Sequence, residues 1–118
     1  MKKMISTILV FGMISLTNMV SAQQMTKDQR RAFQTDNIET FKKYFSTEDY
    51  NKCFSVKTDS YSPLAYSIFY DKKNIFNYLI EKQVDVNKNC DKLTPLKIAQ
   101  NNNRAEMIKT LVKKGAKK

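Results

Sequence analysis

Apolar side chains recur at helical spacing in the first half of the chain. On one predicted helix face they follow one another at steps of three, three and one, at Ile38, Phe41, Tyr44 and Phe45. An earlier run, residues 27–34, follows Thr26, whose hydroxyl can cap the first turn of a helix. The pattern therefore predicts two short helices within residues 26–45.

A sequence repeat organises the second half of the chain. Residues 62–67, Ser-Pro-Leu-Ala-Tyr-Ser, recur as residues 94–99, Thr-Pro-Leu-Lys-Ile-Ala, and Pro63 and Pro95 are 32 positions apart. Proline suits the first position of a helix because it has no N–H to leave unpaired and its φ is fixed. Ser62 and Thr94 precede the prolines as capping residues. We expect helices near residues 63–69 and 74–83, with counterparts 32 positions later.

Residues 84–87, Val-Asp-Val-Asn, follow the second predicted helix of the repeat, and Gly115 is placed to end the last one. A period of this size with a Thr-Pro-Leu turn and two short helices resembles the ankyrin-repeat family. The family's histidine after Thr-Pro-Leu is replaced by Ala65 and Lys97. The resemblance implies an all-α solenoid of helix-turn-helix units joined by β-turn fingers: a helical cap at 26–45, a long connection at 46–59, and repeats at 59–90 and 91–118.

The expected core of the two repeats consists of apolar residues on the inner helix faces. These are Leu64, Leu79, Ile80, Leu96, Ala99, Leu111 and Val112. A single repeat cannot bury its apolar face alone, and about three units are near the minimum for stability. A cap and two repeats therefore form a small stack that would benefit from a covalent staple or a partner.

The N-terminus has the three parts of a secretory signal peptide. Lys2 and Lys3 precede an apolar run from Met4 to Val20, and small residues end at Ala22. We expect cleavage near Ala22, which gives a signal peptide at 1–22, a mature ankyrin-repeat domain at 23–118 and a periplasmic or secreted location. An uncleaved membrane anchor is the alternative, because the apolar run approaches the minimum length for a bilayer span.

The formal net charge is +10, and removal of Lys2 and Lys3 leaves 19 basic and 11 acidic residues, or +8. Charge of this size attracts an acidic protein, an anionic membrane surface or cell-wall polymers, and a secreted location makes nucleic acid the least expected partner. Solvated helix faces account for the lysines equally well.

Cys53 and Cys90 are the only cysteines, and both precede a repeat. An even count in an oxidising compartment favours a disulfide. Equivalent positions in neighbouring ankyrin repeats are about 10 Å apart, whereas a disulfide needs Cα atoms within about 7 Å. The long connection at 46–59 offers a way to bring Cys53 closer. Two separate half-buried thiols are the alternative.

The chain lacks the residues of a usual catalytic or metal site. It has no histidine and two glycines, which removes the common general base, the phosphate-binding loop and His-based metal sites. The aspartates at predicted turns are better explained by side chains that bond to local backbone; these are Asp49, Asp59, Asp85 and Asp91. We expect neither enzymatic activity nor a cofactor.

The family resemblance implies a partner surface made of finger tips and the exposed side of each first helix. Carried onto this sequence, it comprises Tyr61, Tyr66, Phe69, Tyr70, Lys92, Leu93, Asn101 and Asn102. The aromatic residues are typical of interface centres. Packing of Tyr66 and Phe69 against the cap is an equal alternative for each residue taken separately.

Small secreted ankyrin proteins that this chain resembles include immunity proteins, which block a wall- or lipid-degrading enzyme. The sequence thus leads to the expectation of a periplasmic protein-binding module that holds or inhibits a partner protein, as an immunity or self-protection protein. The alternatives are a basic protein on anionic membrane or cell-wall surfaces and a stress-related periplasmic scaffold.

Overall fold

Three pairs of short helices follow one another along the chain. The computed structural model describes residues 23–117; the predicted signal peptide at 1–22 and its cleavage near Ala22 lie outside the described residues. The pairs are α1 (Lys27–Thr35) with α2 (Ile38–Tyr44), α3 (Pro63–Phe69) with α4 (Lys73–Glu81), and α5 (Pro95–Asn101) with α6 (Ala105–Lys113). Within each pair the helices pack together, and α3 also packs on α5 while α2 packs on α4. The predicted helix-turn-helix units are confirmed, with bounds within two residues of the expected ones.

The first helix of each unit begins at a side-chain cap. The hydroxyls of Thr26, Ser62 and Thr94 accept hydrogen bonds from the backbone N–H three residues later, at 3.1, 3.1 and 3.2 Å. These bonds pair N–H groups that have no acceptor inside the helix. The expected capping roles of all three residues are therefore confirmed.

The second helix of the middle unit is capped from the unit before it. Asp36 ends α1 in the left-handed conformation, and its carboxylate accepts hydrogen bonds from the backbone N–H groups of Asn74 and Ile75 at 3.1 and 3.0 Å. A negative charge is also favourable at the N-terminus of α4. Asp36 thus ties the first unit to the second.

Arg104 makes a corresponding connection between the second and third units. Its Nε and Nη2 atoms donate to the carbonyls of Ile68 and Phe69 at 3.0 and 2.8 Å. These carbonyls lie at the C-terminus of α3, where the helix dipole favours a cation. Gly115 adopts a φ of +96° after α6, as expected for a helix-ending glycine.

A small sheet forms where the sequence predicted only helices and turns. Its strands are β1 (Gln23–Gln24), β2 (Phe54–Val56) and β3 (Asp59–Tyr61), in that order, with β1 parallel and β3 antiparallel to β2. The all-α prediction missed this sheet because strands of two or three residues are too short to display a period of two. The connection at 46–59 therefore folds as a 3₁₀ turn, Thr47–Asp49, followed by a β-hairpin.

The core combines the predicted aliphatic residues with a dense aromatic cluster. Phe33, Phe41, Phe45 and Phe54 are fully buried, and their rings contact one another at centroid distances of 4.6 to 5.5 Å. Six of the seven predicted core residues are buried. The prediction for Val112 is wrong, since this residue is 54% exposed whereas Ile80, its counterpart 32 positions earlier, is 9% exposed. Among the described residues no unit follows α6 to cover it.

Candidate partner-binding groove

A disulfide joins the hairpin to the segment before α5. Cys53 precedes β2 and bonds to Cys90, with a Cα–Cα distance of 5.5 Å. The long connection at 46–59 therefore places the Cα atom of Cys53 within the distance of about 7 Å that a disulfide requires. The predicted disulfide is therefore confirmed, and the alternative of two free thiols is not.

A groove lies beside this disulfide, between β3, α3, residues 90–93 and α5. Its volume is ≈ 550 Å³. Six of the eight residues predicted from the family resemblance line it: Tyr61, Phe69, Lys92, Leu93, Asn101 and Asn102. The remaining lining residues are Asp59, Ser60, Ala65, Cys90, Asp91 and Ile98. Residues from two units and one finger thus converge on a single concave surface.

The aromatic residues of the predicted surface form one continuous cluster but have different exposures. Tyr61 contacts Tyr66 and Phe69 at ring-centroid distances of 5.5 and 5.7 Å, and Tyr70 contacts Tyr66 and Phe69 at 4.6 and 4.8 Å. Tyr70 does not line the groove, but it is 46% exposed and its ring contacts that of Phe69, which does. A partner can therefore reach Tyr70 directly, and Tyr61 and Phe69 form part of the groove wall.

Tyr66 occupies the core rather than the exposed surface. It is 7% exposed, and its ring lies 4.6 Å from the centroid of Phe33, so the cap covers it. Burial raises the pKa of the Tyr66 phenol, with a smaller contribution from Tyr70. Of the two interpretations of this residue, the structure supports packing against the cap. Tyr66 supports the groove from beneath.

Two of the four turn aspartates behave as the sequence predicted. The carboxylate of Asp49 accepts a hydrogen bond from the backbone N–H of Ser46 at 3.0 Å, and that of Asp85 accepts one from Asn87 at 2.9 Å. Each side chain thereby stabilises its own turn, as aspartates in turns commonly do.

Asp59 and Asp91 differ from this expectation. Within residues 23–117 neither carboxylate makes a hydrogen bond to backbone or an ion pair within 4 Å, and both residues are exposed on the groove. Burial raises the pKa of the neighbouring Tyr61, and the charges of Asp59 and Asp91 add to that rise. The charges of both carboxylates therefore act on the Tyr61 phenol. In the sequence, the signal that sets these two aspartates apart is their shared position at the start of each repeat, 32 residues apart.

Ser60 lies next to Tyr61 at a finger position of the family resemblance, and it also lines the groove. Its Oγ is buried and has no hydrogen-bond partner among the described residues. This hydroxyl is therefore shielded from bulk water at the wall of the groove.

A second hollow of ≈ 460 Å³ lies between α4 and α6 and includes Asp71 and Arg104. Arg104 is already engaged by the α3 carbonyls and by Asp71, whose Oδ2 lies 3.9 Å from Nη1. This hollow is therefore part of the contact between the second and third units.

Within residues 23–117, no group of three His, Cys, Asp or Glu residues is placed to hold a metal ion. In the same part of the chain, no helix has the length and apolar character required to cross a bilayer.

Comparison with known proteins identifies the repeat. A family model described as ankyrin repeats (3 copies) matches residues 30–118. The match begins inside the predicted cap at 26–45 and covers both predicted repeats. A comparison with curated proteins found no match.

Proposed function

The chain belongs to the ankyrin-repeat family, and from this premise we propose that it is a non-catalytic module that holds or inhibits one partner protein in the groove. Ankyrin repeats generally mediate protein–protein interaction, because stacked units present an extended concave surface. The observation that carries the proposal is the convergence of apolar and aromatic side chains at the groove. Leu93 is 41% exposed and Tyr70 is 46% exposed, although both are side chains that folding normally covers.

The proposed compartment is the periplasm. The sequence pattern of residues 1–22 supports export, and the Cys53–Cys90 disulfide supports an oxidising environment. In this compartment we propose inhibition of a hydrolase as an immunity or self-protection function. Deletion of the gene should reduce viability, and deletion of a neighbouring hydrolase gene should restore it. Full viability even when that hydrolase is overproduced would exclude the immunity function.

A capture experiment tests the partner-binding proposal. The full-length gene with a C-terminal affinity tag is expressed in the source organism, and the recovered chain is sequenced from its N-terminus. A first residue of Gln23 is expected if the signal peptide is cleaved, whereas an intact Met1 supports the membrane anchor. Partner proteins recovered with the tagged chain are then compared among variants.

The decisive variants remove exposed apolar side chains at two different places. Tyr70→Ala with Leu93→Ala removes Leu93 in the groove and Tyr70 next to it, and Val112→Ala removes an apolar side chain of similar exposure on α6. We expect the groove variant to lose the partner and the α6 variant to retain it. Equal capture by both variants would refute the groove as the binding surface.

The net charge of +10 favours a second candidate, a protein that associates with anionic membrane or cell-wall surfaces. Salt distinguishes the two functions. Raising the ionic strength from about 0.15 M to about 1 M shortens the Debye length from about 8 to 3 Å, which removes binding by diffuse charge. Binding that disappears in high salt and is insensitive to the groove variant would support the surface-associated function.

A further inference from the structure

We propose that the groove receives a cationic side chain, an arginine or lysine of the partner protein, beside the carboxylates of Asp59 and Asp91. This inference rests on the proposed function, because it specifies the chemistry of the partner at the same groove. It differs from the expectation based on net charge alone, which is an anionic partner.

Two aspartate carboxylates belong to segments that line the groove. Asp59 starts β3, Asp91 follows the disulfide-bonded Cys90, and both line the groove. The disulfide fixes their two segments to each other. Since neither carboxylate is paired with another described residue, both are available to an incoming cation. Charge-assisted hydrogen bonds to carboxylates are among the stronger polar contacts, and arginine forms them in a bidentate geometry.

Two aromatic residues, Tyr61 and Phe69, line the same groove as the carboxylates. The rings of Tyr61 and Phe69 are 5.7 Å apart and tilted by 31°, and both line the groove next to the carboxylates. The face of an aromatic ring attracts a cation, and a guanidinium also stacks on it. Acidic and aromatic groups on one surface therefore complement the two parts of an arginine or lysine side chain, its charged end and its apolar stem.

The positive charge of the chain opposes this binding only weakly. At about 0.15 M salt, charges farther away than a Debye length of about 8 Å are largely screened, so the nearest groups decide. Among the lining residues the basic one is Lys92, which is exposed. Because it competes with an incoming cation for the carboxylates, its removal should strengthen binding.

Nuclear magnetic resonance titration of the disulfide-bonded chain tests the chemistry without knowledge of the partner. The probe is N-acetyl-arginine amide, and N-acetyl-citrulline amide is its neutral match in size and shape. We expect the arginine probe to shift the backbone amide signals of residues 59–61 and 90–93, with binding about fivefold weaker for the citrulline probe. Equal shifts with both probes, or shifts confined to other regions, would overturn the proposal.

Charge variants provide the matched comparison. Asp59→Asn with Asp91→Asn keeps the size of both side chains and should weaken arginine binding by about fivefold, whereas Lys92→Gln should strengthen it. If the double variant does not fold, the comparison of arginine with citrulline on the unaltered chain still decides the question. Unchanged arginine binding in a folded double variant would refute the role of the carboxylates.

The capture experiment separates this inference from the function on which it rests. A partner that is lost with Tyr70→Ala and Leu93→Ala, but retained with Asp59→Asn and Asp91→Asn, would leave the proposed function in place and overturn the cationic partner. Absence of any groove-dependent partner would overturn the proposed function. The titration with the arginine probe would then still determine the chemistry of the groove.

Discussion

Removal of the Cys53–Cys90 disulfide is expected to cost a large part of the stability of the chain. The bond joins residues separated by 37 positions, and the closed loop contains the whole middle helix pair. The chain-entropy relation gives a stabilisation of about 4 kcal/mol at about 25 °C for a loop of this length. Since small domains are stable by about 5–15 kcal/mol, the loss would lower the melting temperature by about 15–30 °C.

The native contacts around the bond indicate that the variant still folds. Asn51 Oδ1 accepts a hydrogen bond from the backbone N–H of Asp85 at 2.8 Å, which connects the same two segments without the disulfide. The hydrogen bonds from the backbone N–H groups of Asn74 and Ile75 to Asp36, which join the first two units, also remain in the variant. The expected loss therefore arises mainly from the greater freedom of the unfolded chain, not from lost native packing.

Urea unfolding followed by far-ultraviolet circular dichroism measures the effect. Cys53→Ala with Cys90→Ala is compared with the unaltered chain before and after reduction, because reduction opens the same loop without a substitution. Both perturbations should reduce the free energy of unfolding by similar amounts and raise the m value as the unfolded chain expands. A loss below about 1 kcal/mol in both cases would refute the entropic reasoning.

Three further perturbations test the packing between units. Asp36→Ala should destabilise the chain by about 1–2 kcal/mol, because two N–H groups of α4 lose their acceptor. Ile80→Ala should cost about 2–5 kcal/mol, whereas Val112→Ala at the equivalent exposed position should change stability by no more than about 0.5 kcal/mol. Burial and the hydrogen bond with Tyr78 raise the pKa of Tyr50, so the contribution of Tyr50 to stability should be constant below about pH 10 and should fall as the pH rises further, and Tyr50→Phe should reduce that fall.

The Asp36, Ile80 and Val112 variants are measured by urea unfolding at neutral pH. The Tyr50 variant is measured by urea unfolding at a series of alkaline pH values together with tyrosinate absorbance. Equal losses for the Ile80 and Val112 variants would contradict the burial difference. A neutral Asp36 variant would show that water replaces the carboxylate at α4. For Tyr50 the sign follows from linkage: the folded state holds the phenolic proton more tightly than the unfolded state, so the stabilisation is present below the unfolded pKa and is lost above it. Stability that rises with pH would contradict this assignment.

Much of the helical architecture was accessible from local sequence signals. Ser62-Pro63 and Thr94-Pro95 place a capping hydroxyl before a residue suited to the first turn, and the structure begins α3 and α5 at those prolines. These signals act over three or four residues, and the 32-residue repeat presents them twice. By contrast, Phe54-Ser55-Val56 forms a strand through pairing with residues 23–24 and 59–61, which are distant in sequence or too few to show a pattern.

The candidate site was predicted in part. Six of the eight expected residues line the groove because the family resemblance carries the positions of fingers and first helices onto this chain. The burial of Tyr66 depends on its contact with Phe33 in another unit, which no local pattern reports. Asp59 and Asp91 resembled Asp49 and Asp85 as turn residues; their place on the groove, and their lack of local hydrogen bonds within residues 23–117, distinguish them.

Local sequence signals were sufficient to predict three features of this protein. These are the residues at which the first helices begin, the end of the last helix near Gly115, and the repetition of the unit. Those features depend on interactions between residues close along the chain. Contacts between units establish how the units are joined and what they present, through the cap that Asp36 provides to α4, the disulfide beside the groove, and the placement of Asp59 and Asp91 on one groove. The physical reason is that burial and charge pairing depend on distance in space, and residues of different units become neighbours only after the stack has formed.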